Sequence, residues 1–162
     1  DHTERYQEII EKYKQEITEI APAWKAMGKQ WNTILPEPSD FSLLSTVCEY
    51  SELVVNICSS MVFDFAIHNK PCIYINYEQP QLQKGIRDIG QNYNYVHFRS
   101  MPSENAVAWA TSKENLQVTL ENLLMNPKPV VAQAQKWFTV VAGKHPKTSS
   151  LAIWKTIKNI LN

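Results

Sequence analysis

Glycine is scarce in this chain, with four in 162 residues, and they assemble neither GxGxxG nor GxxxxGK[ST]. The dinucleotide fingerprint of the Rossmann type and the P-loop are thereby disfavoured, since both need glycines where backbone meets phosphate. Cysteine is also sparse. Cys48, Cys58 and Cys72 are odd in number, form no CxxC or Cys/His zinc spacing, and lie in apolar surroundings. Such cysteines read as free thiols in a reducing compartment. Net charge is absent, because sixteen basic and sixteen acidic residues cancel. No global field then favours nucleic acid, and any anion must be bound locally. No apolar run reaches transmembrane length, and the opening DHTERYQEIIEKYK is too charged for a secretory signal. The expected location is cytoplasmic, with the inner face of the membrane as the place where the full-length protein could associate peripherally. His2, His68, His97 and His145 are scattered without the spacing of a metal site or a triad, so no metal and no cofactor are expected. No repeat and no low-complexity tract occurs.

What is present is a 44% hydrophobic content, enough for one buried core and too little chain for two large domains. A single α/β domain over 1–162 is expected. The start, without Met and inside a helical pattern, reads as that of an excised fragment. Apolar residues at helical spacing predict a helix over 4–21, closed by Pro22. A Trp-containing connector follows over 23–38, with a short strand within 31–35. Ser39 or Asp40 would cap a helix turning Leu43, Leu44, Val47 and Cys48 inward. Residues 79–95 lack clear periodicity and are expected to form a long polar loop with at most one helical turn. Beyond it, β-like runs at 95–98 and 106–110 precede a helix capped by Ser112 and broken by Pro127 and Pro129. Two further helices are expected over 130–142, stopped by Gly143, and 150–161.

The centre of the pattern is 53–78, LVVNICSSMVFDFAIHNKPCIYINYE. Two β-rich runs, 53–58 and 72–77, flank a short amphipathic segment, which reads as strand, helix, strand. Strands buried on both faces and alternating with helices predict a Rossmann-like parallel sheet flanked by helices, with ligands outside the carboxyl ends of the strands. Ser59 and Ser60 fall at that edge. With the amides near Ser60, Met61 and Val62 they form a candidate anion site suited to a diphosphate; equally, Ser59 could serve only as a helix cap. Asp64, one turn on, is placed to accept from ribose hydroxyls or to compensate the helix dipole. Glu78 ends the second strand at the same edge, to bind sugar hydroxyls or to open a solvated loop. Arg87 and Arg99 suit a diphosphate through bidentate guanidinium contacts, and His97 could face the cleft. The tyrosines 93 and 95 and the five tryptophans do not interleave with basic residues and read as packing groups.

Ser59-Ser60-Met61-Val62-Phe63-Asp64-Phe65-Ala66, then Lys70-Pro71, then Tyr77-Glu78, resembles the donor-binding half of GT-B glycosyltransferases. It is especially similar to the branch containing CDP-glycerol glycerophosphotransferases, with a more distant likeness to UDP-sugar glycosyltransferases. The resemblance implies a C-terminal GT-B half truncated at its N-terminus. Ser60 and Met61 would lie on the phosphate-contacting turn, Asp64 would bind ribose, and Glu78-Gln79 would lie near the sugar-contacting acid and glutamine. Asn56 stands where that family carries a phosphate-contacting histidine, and Ile34, Leu35 and Pro36 fall in the loop that meets the base. The expected substrate is a nucleotide-diphosphate donor, a UDP-sugar or a CDP-linked group, in cell-envelope polysaccharide synthesis. The catalytic base and the acceptor site would belong to an N-terminal acceptor domain outside this chain. A nucleotide-sugar epimerase of the same fold and a non-catalytic binding module stand as alternatives.

Overall fold

The computed structural model describes residues 6–28, 33–78, 89–143 and 146–161. The chain divides into two compact units, Asp1–Thr46 and Val47–Asn162. In the first, helix α1 (Gln7–Lys12) is followed by strands β1 (Lys25–Ala26) and β2 (Ile34–Leu35), which pair antiparallel. Helix α2 (Pro38–Tyr50) spans the boundary between the units. Its start is organised by Asp40, whose carboxylate accepts from the amides of Ala23 (2.6 Å) and Glu37 (2.7 Å). Asp40 thus acts from within the first turn, and Pro38, lacking an N–H, opens the helix.

The second unit is built on three parallel strands in the order β3 (Val54–Asn56), β4 (Cys72–Ile75), β5 (Ala108–Ala110). Val54 to Asn56 align with Cys72 to Tyr74, and Ile73 to Ile75 with Ala108 to Ala110. The central strand is the most deeply buried, which is why its sequence is continuously apolar rather than alternating. Strand pleating divides its side chains between two faces. Cys72 and Tyr74 enter one core with Val62, Ala66, Phe98 and Trp137; Ile73 enters the other with Ala110 and Leu123. Helices α3 (Met61–Ile67) and α7 (Lys128–Ala142) supply the first core, and α6 (Lys113–Met125) the second.

Local chemistry sets the ends of these helices. Ser112 Oγ accepts from the Asn115 amide at 3.0 Å while Asn115 Oδ1 accepts from the Thr111 amide at 2.9 Å, a reciprocal cap on α6. The two prolines bracketing Lys128 open α7, where a missing N–H is harmless, and Gly143 closes it at φ 77°. Helix α3 ends in a Schellman motif: the Lys70 amide donates to the Phe65 carbonyl and the Asn69 amide to that of Ala66, with Asn69 at φ 60°.

Several expected elements differ. The run at 72–77 is strand only at Cys72–Ile75, so Glu78 lies beyond the strand it is expected to end, and of the run at 106–110 only Ala108–Ala110 is strand. Of the helix predicted over 4–21, the described residues 6–21 are helical only at Gln7–Lys12, with turns at 13–16 and no helix over 17–21. Ile9, Tyr13, Ile17 and Ile20 are all exposed, so the periodic face has no packing to extend a short helix, which propensity alone sustains poorly. The β-like run at 95–98 is instead helix α5 (Val96–Arg99), preceded by α4 (Ile89–Asn92). A strand would put residues 96 and 98 on one face, whereas Val96 is 74% exposed and Phe98 only 4%. Strand β3 stops at Asn56 rather than 58, because the backbone turns left-handed at Cys58 (φ 40°).

Candidate functional site

The turn between β3 and α3 lies at the carboxyl edge of the sheet and is held by side chains from three elements. Asn56 Oδ1 accepts from the Ser59 amide (3.3 Å), and Asn56 Nδ2 donates to Cys72 Sγ (3.6 Å). From β4, the Tyr74 hydroxyl donates to the Ser59 carbonyl at 2.7 Å. The Tyr93 hydroxyl, just after α4, accepts from the Cys58 amide (3.3 Å) and donates to the Ile75 carbonyl (2.6 Å). These contacts support the left-handed backbone at Cys58, a conformation costly for a residue with a β-carbon. The two tyrosine rings lie 5.3 Å apart, and Tyr93 packs edge-on against Trp109 at 4.9 Å. Burial pushes both phenols above their ordinary range, so both stay neutral donors.

The sequence suggests a cradle of free amides, but most are engaged. Met61 donates to Ser59 Oγ at 3.2 Å, Val62 to the Ser59 carbonyl at 3.4 Å, and Phe63 to the Ser60 carbonyl at 2.9 Å. Across residues 58–63, the Ser60 amide alone has no acceptor among the described residues, and the Ser60 side chain is exposed. Four of the five engaged bonds are long, those of Cys58 and Ser59 at 3.3 Å and those of Met61 and Val62. The last two, at 3.2 and 3.4 Å, lie at or beyond the usual outer range for N–H donors.

Asp64 is half-buried on α3. Burial raises its pKa, while its own amide and the nearby His68 draw it down. It also raises the pKa of Cys48, second to burial itself. Asp64 is therefore coupled to Cys48 on α2 and to His68 at the end of α3. Glu78 is exposed, and its Oε1 accepts from the Ile89 amide, which opens α4. His97 and Arg99 lie exposed on α5; the His97 ring is 4.0 Å from that of Phe98, and Arg99 has no ion pair among the described residues. Ile34 and Leu35 form β2 of the other unit, followed by Pro36. Gln79 and Arg87 lie outside the described residues. The structure thus brings Asn56, Ser59, Ser60, Met61 and Asp64 together on one turn and its helix.

Tyr74 and Tyr93 are the contribution the sequence reading missed. Tyr93 is expected only to pack and Tyr74 has no expected role; both rings do pack, but their hydroxyls hold the turn. The available signal was a tyrosine within an otherwise aliphatic buried strand, since a buried phenol needs a partner. A concavity of about 510 Å³ lies elsewhere, lined in part by Ala108, Leu123, Met125 and Val130. It faces the beginning of β5 and the end of α6, at the amino ends of the strands. Among the described residues, no three His, Cys, Asp or Glu side chains converge to hold a metal ion, and no helix is long and apolar enough to cross a membrane. All three cysteines are free. Compared with known proteins, the chain matches no family model, no curated protein and no solved structure.

Proposed function

We propose that this chain is the donor-binding part of a GT-B-type glycosyltransferase, holding a nucleotide-diphosphate donor whose sugar or polyol phosphate is transferred in cell-envelope polysaccharide synthesis. The observation that carries the reading is the β3–α3 turn. It stands at the carboxyl edge of a parallel sheet and offers the Ser60 amide and hydroxyl with Asp64 one helical turn away. A diphosphate oxygen would bond first to Ser60 and then draw the Met61 amide from Ser59 Oγ, exchanging a long neutral bond for a charge-assisted one. Negative charge developing on the leaving nucleotide would be stabilised by the same amides, with the tyrosine-held turn limiting reorganisation. Asp64 would fix the ribose. Glu78, released from the Ile89 amide, would take the transferred group. Chemistry would be completed by a catalytic base outside the chain.

Calorimetric titration with uridine and cytidine diphosphates tests this. Saturable binding that weakens at least about tenfold in Ser60→Ala/Asp64→Asn, the scale of one or two charge-assisted bonds, is the expected result. Absence of saturable binding to either nucleotide would remove the reading.

A second reading has its own support. The Ser59 hydroxyl, amide and carbonyl are all engaged within the chain, as they would be if the residue served only to shape the turn of a non-catalytic interaction module. On that reading Ser59→Ala lowers stability, and no nucleotide binds.

A further inference from the structure

The overall neutrality of the chain hides a segregation of charge. All sixteen acidic residues lie at or before Glu121, alongside ten basic ones; from residue 122 to 162 there are six lysines and no acid. Lys128, Lys136, Lys147, Lys155 and Lys158, the five within the described residues, are all exposed, and none forms an ion pair among those residues. This stretch ends in helix α8 (Ser149–Leu161), which has no buried residue. Ile153, Trp154, Ile157, Ile160 and Leu161 recur three and four apart and make one apolar stripe, with Trp154 58% and Ile157 40% exposed. Lys158 lies 6.0 Å from the centre of the Trp154 ring, which places an ammonium at the border of that stripe.

We infer that α8 is an interfacial helix that lies on an anionic phospholipid surface, its isoleucine and tryptophan face entering the headgroup boundary and its lysines meeting lipid phosphates. The charge selects this occupant. A lysine-only flank beside an apolar stripe complements an acidic bilayer. Two copies joined α8 to α8 would instead set like charges against each other. Nucleic acid would ask for aromatics set within a basic groove rather than an aliphatic stripe. The inference stands on charge and exposure alone and does not rest on the nucleotide-binding reading, so vesicle binding should survive Ser60→Ala.

The test is sedimentation of the 162-residue chain with phosphatidylcholine vesicles, either pure or containing about one third phosphatidylglycerol. Binding to the mixed vesicles only, weakened by high salt, is expected. Lys155→Gln/Lys158→Gln should lower the partition about 30-fold, from roughly fivefold per lysine near an acidic surface. Ile157→Asp should lower it by at least about tenfold. A vesicle-dependent blue shift of tryptophan fluorescence should disappear in Trp154→Phe. As α8 buries no residue, these variants should keep the parent unfolding midpoint, which separates lost docking from lost folding. Absence of binding to the mixed vesicles overturns the inference. If a concentration-dependent dimer sensitive to Ile157→Asp appears in its place, the apolar stripe belongs to a second copy. Equal binding to pure phosphatidylcholine, unaffected by the lysine pair, overturns it as well.

Discussion

Helices α7 and α8 are both amphipathic, both near the C-terminus and both built on apolar residues with a tryptophan at the centre of the stripe, yet only one of them is covered. On α7, Val131, Ala134 and Trp137 are buried, and Trp137 meets Phe63 edge-on at 4.7 Å while its Nε1 donates to Ser100 Oγ at 3.0 Å. On α8, no residue is buried. Periodicity therefore specifies a helix and the face that wants burial, but what covers that face is decided by other parts of the chain. Trp137→Ala tests the contrast most strongly. It removes a fully buried ring and a hydrogen bond, and should cost about 3–5 kcal/mol in urea unfolding. Trp154→Ala, the matching change on α8, should stay within about 0.5 kcal/mol of the parent. Equal losses in the two variants would mean that α8 is packed after all.

The next effect sharpens the same contrast within the sheet. Tyr74→Phe keeps the ring in its core and deletes only the hydroxyl that donates to the Ser59 carbonyl. The carbonyl is left without that donor, so the expected loss is about 1–3 kcal/mol. If the turn is also a phosphate site, nucleotide affinity falls with it. A stability loss without any change in nucleotide binding would assign Tyr74 to the fold alone. Ser112→Ala is smaller, at about 1 kcal/mol, because the Asn115 side chain still holds the Thr111 amide when the serine cap is gone.

Legibility in the sequence follows the range of the interactions involved. The crossover was readable because local patterns carry it: continuous apolar runs for β3 and β4, and serines between strand and helix. Ser112, Pro127 and Gly143 likewise marked α6 and α7 through their own backbone chemistry. Elements that depend on distant partners were not readable. The α1 segment shows helical spacing over eighteen residues in the sequence but keeps only Gln7–Lys12 as helix, since its apolar face remains exposed. Residues 95–98 have strand-like composition, but the aromatic cluster of Tyr74, Tyr93 and Trp137 takes in Phe98 and excludes Val96. At the candidate site, the placement of Ser59, Ser60 and Asp64 on one turn and the helix it opens was legible from spacing. The capture of the Cys58 amide by Tyr93 was not, because Tyr93 lies 35 residues beyond Cys58 in the chain.

The smallest effect concerns Asp64, and its sign distinguishes a residue placed for folding from one placed for a ligand. Burial, the largest influence, raises its pKa above the ordinary 3.8; its own amide and His68 offset part of this. Between 3.8 and the raised folded value the native state holds more proton than the unfolded chain, so stability falls as pH rises through that window. Above the window the ionised carboxylate costs stability. Below 3.8 both states are protonated and the cost vanishes. Asp64→Asn removes the titration. It should therefore stabilise the protein at neutral pH, by less than about 1 kcal/mol for a half-exposed group, and give no gain in strong acid. Urea midpoints measured across the acid range check this. A parent whose stability rises with pH through the same window, with no gain in the variant, would show instead that Asp64 is held ionised by partners within the fold. A stabilised variant that has also lost nucleotide affinity is the outcome expected of a carboxylate kept at the turn for a ribose, at some expense to the fold.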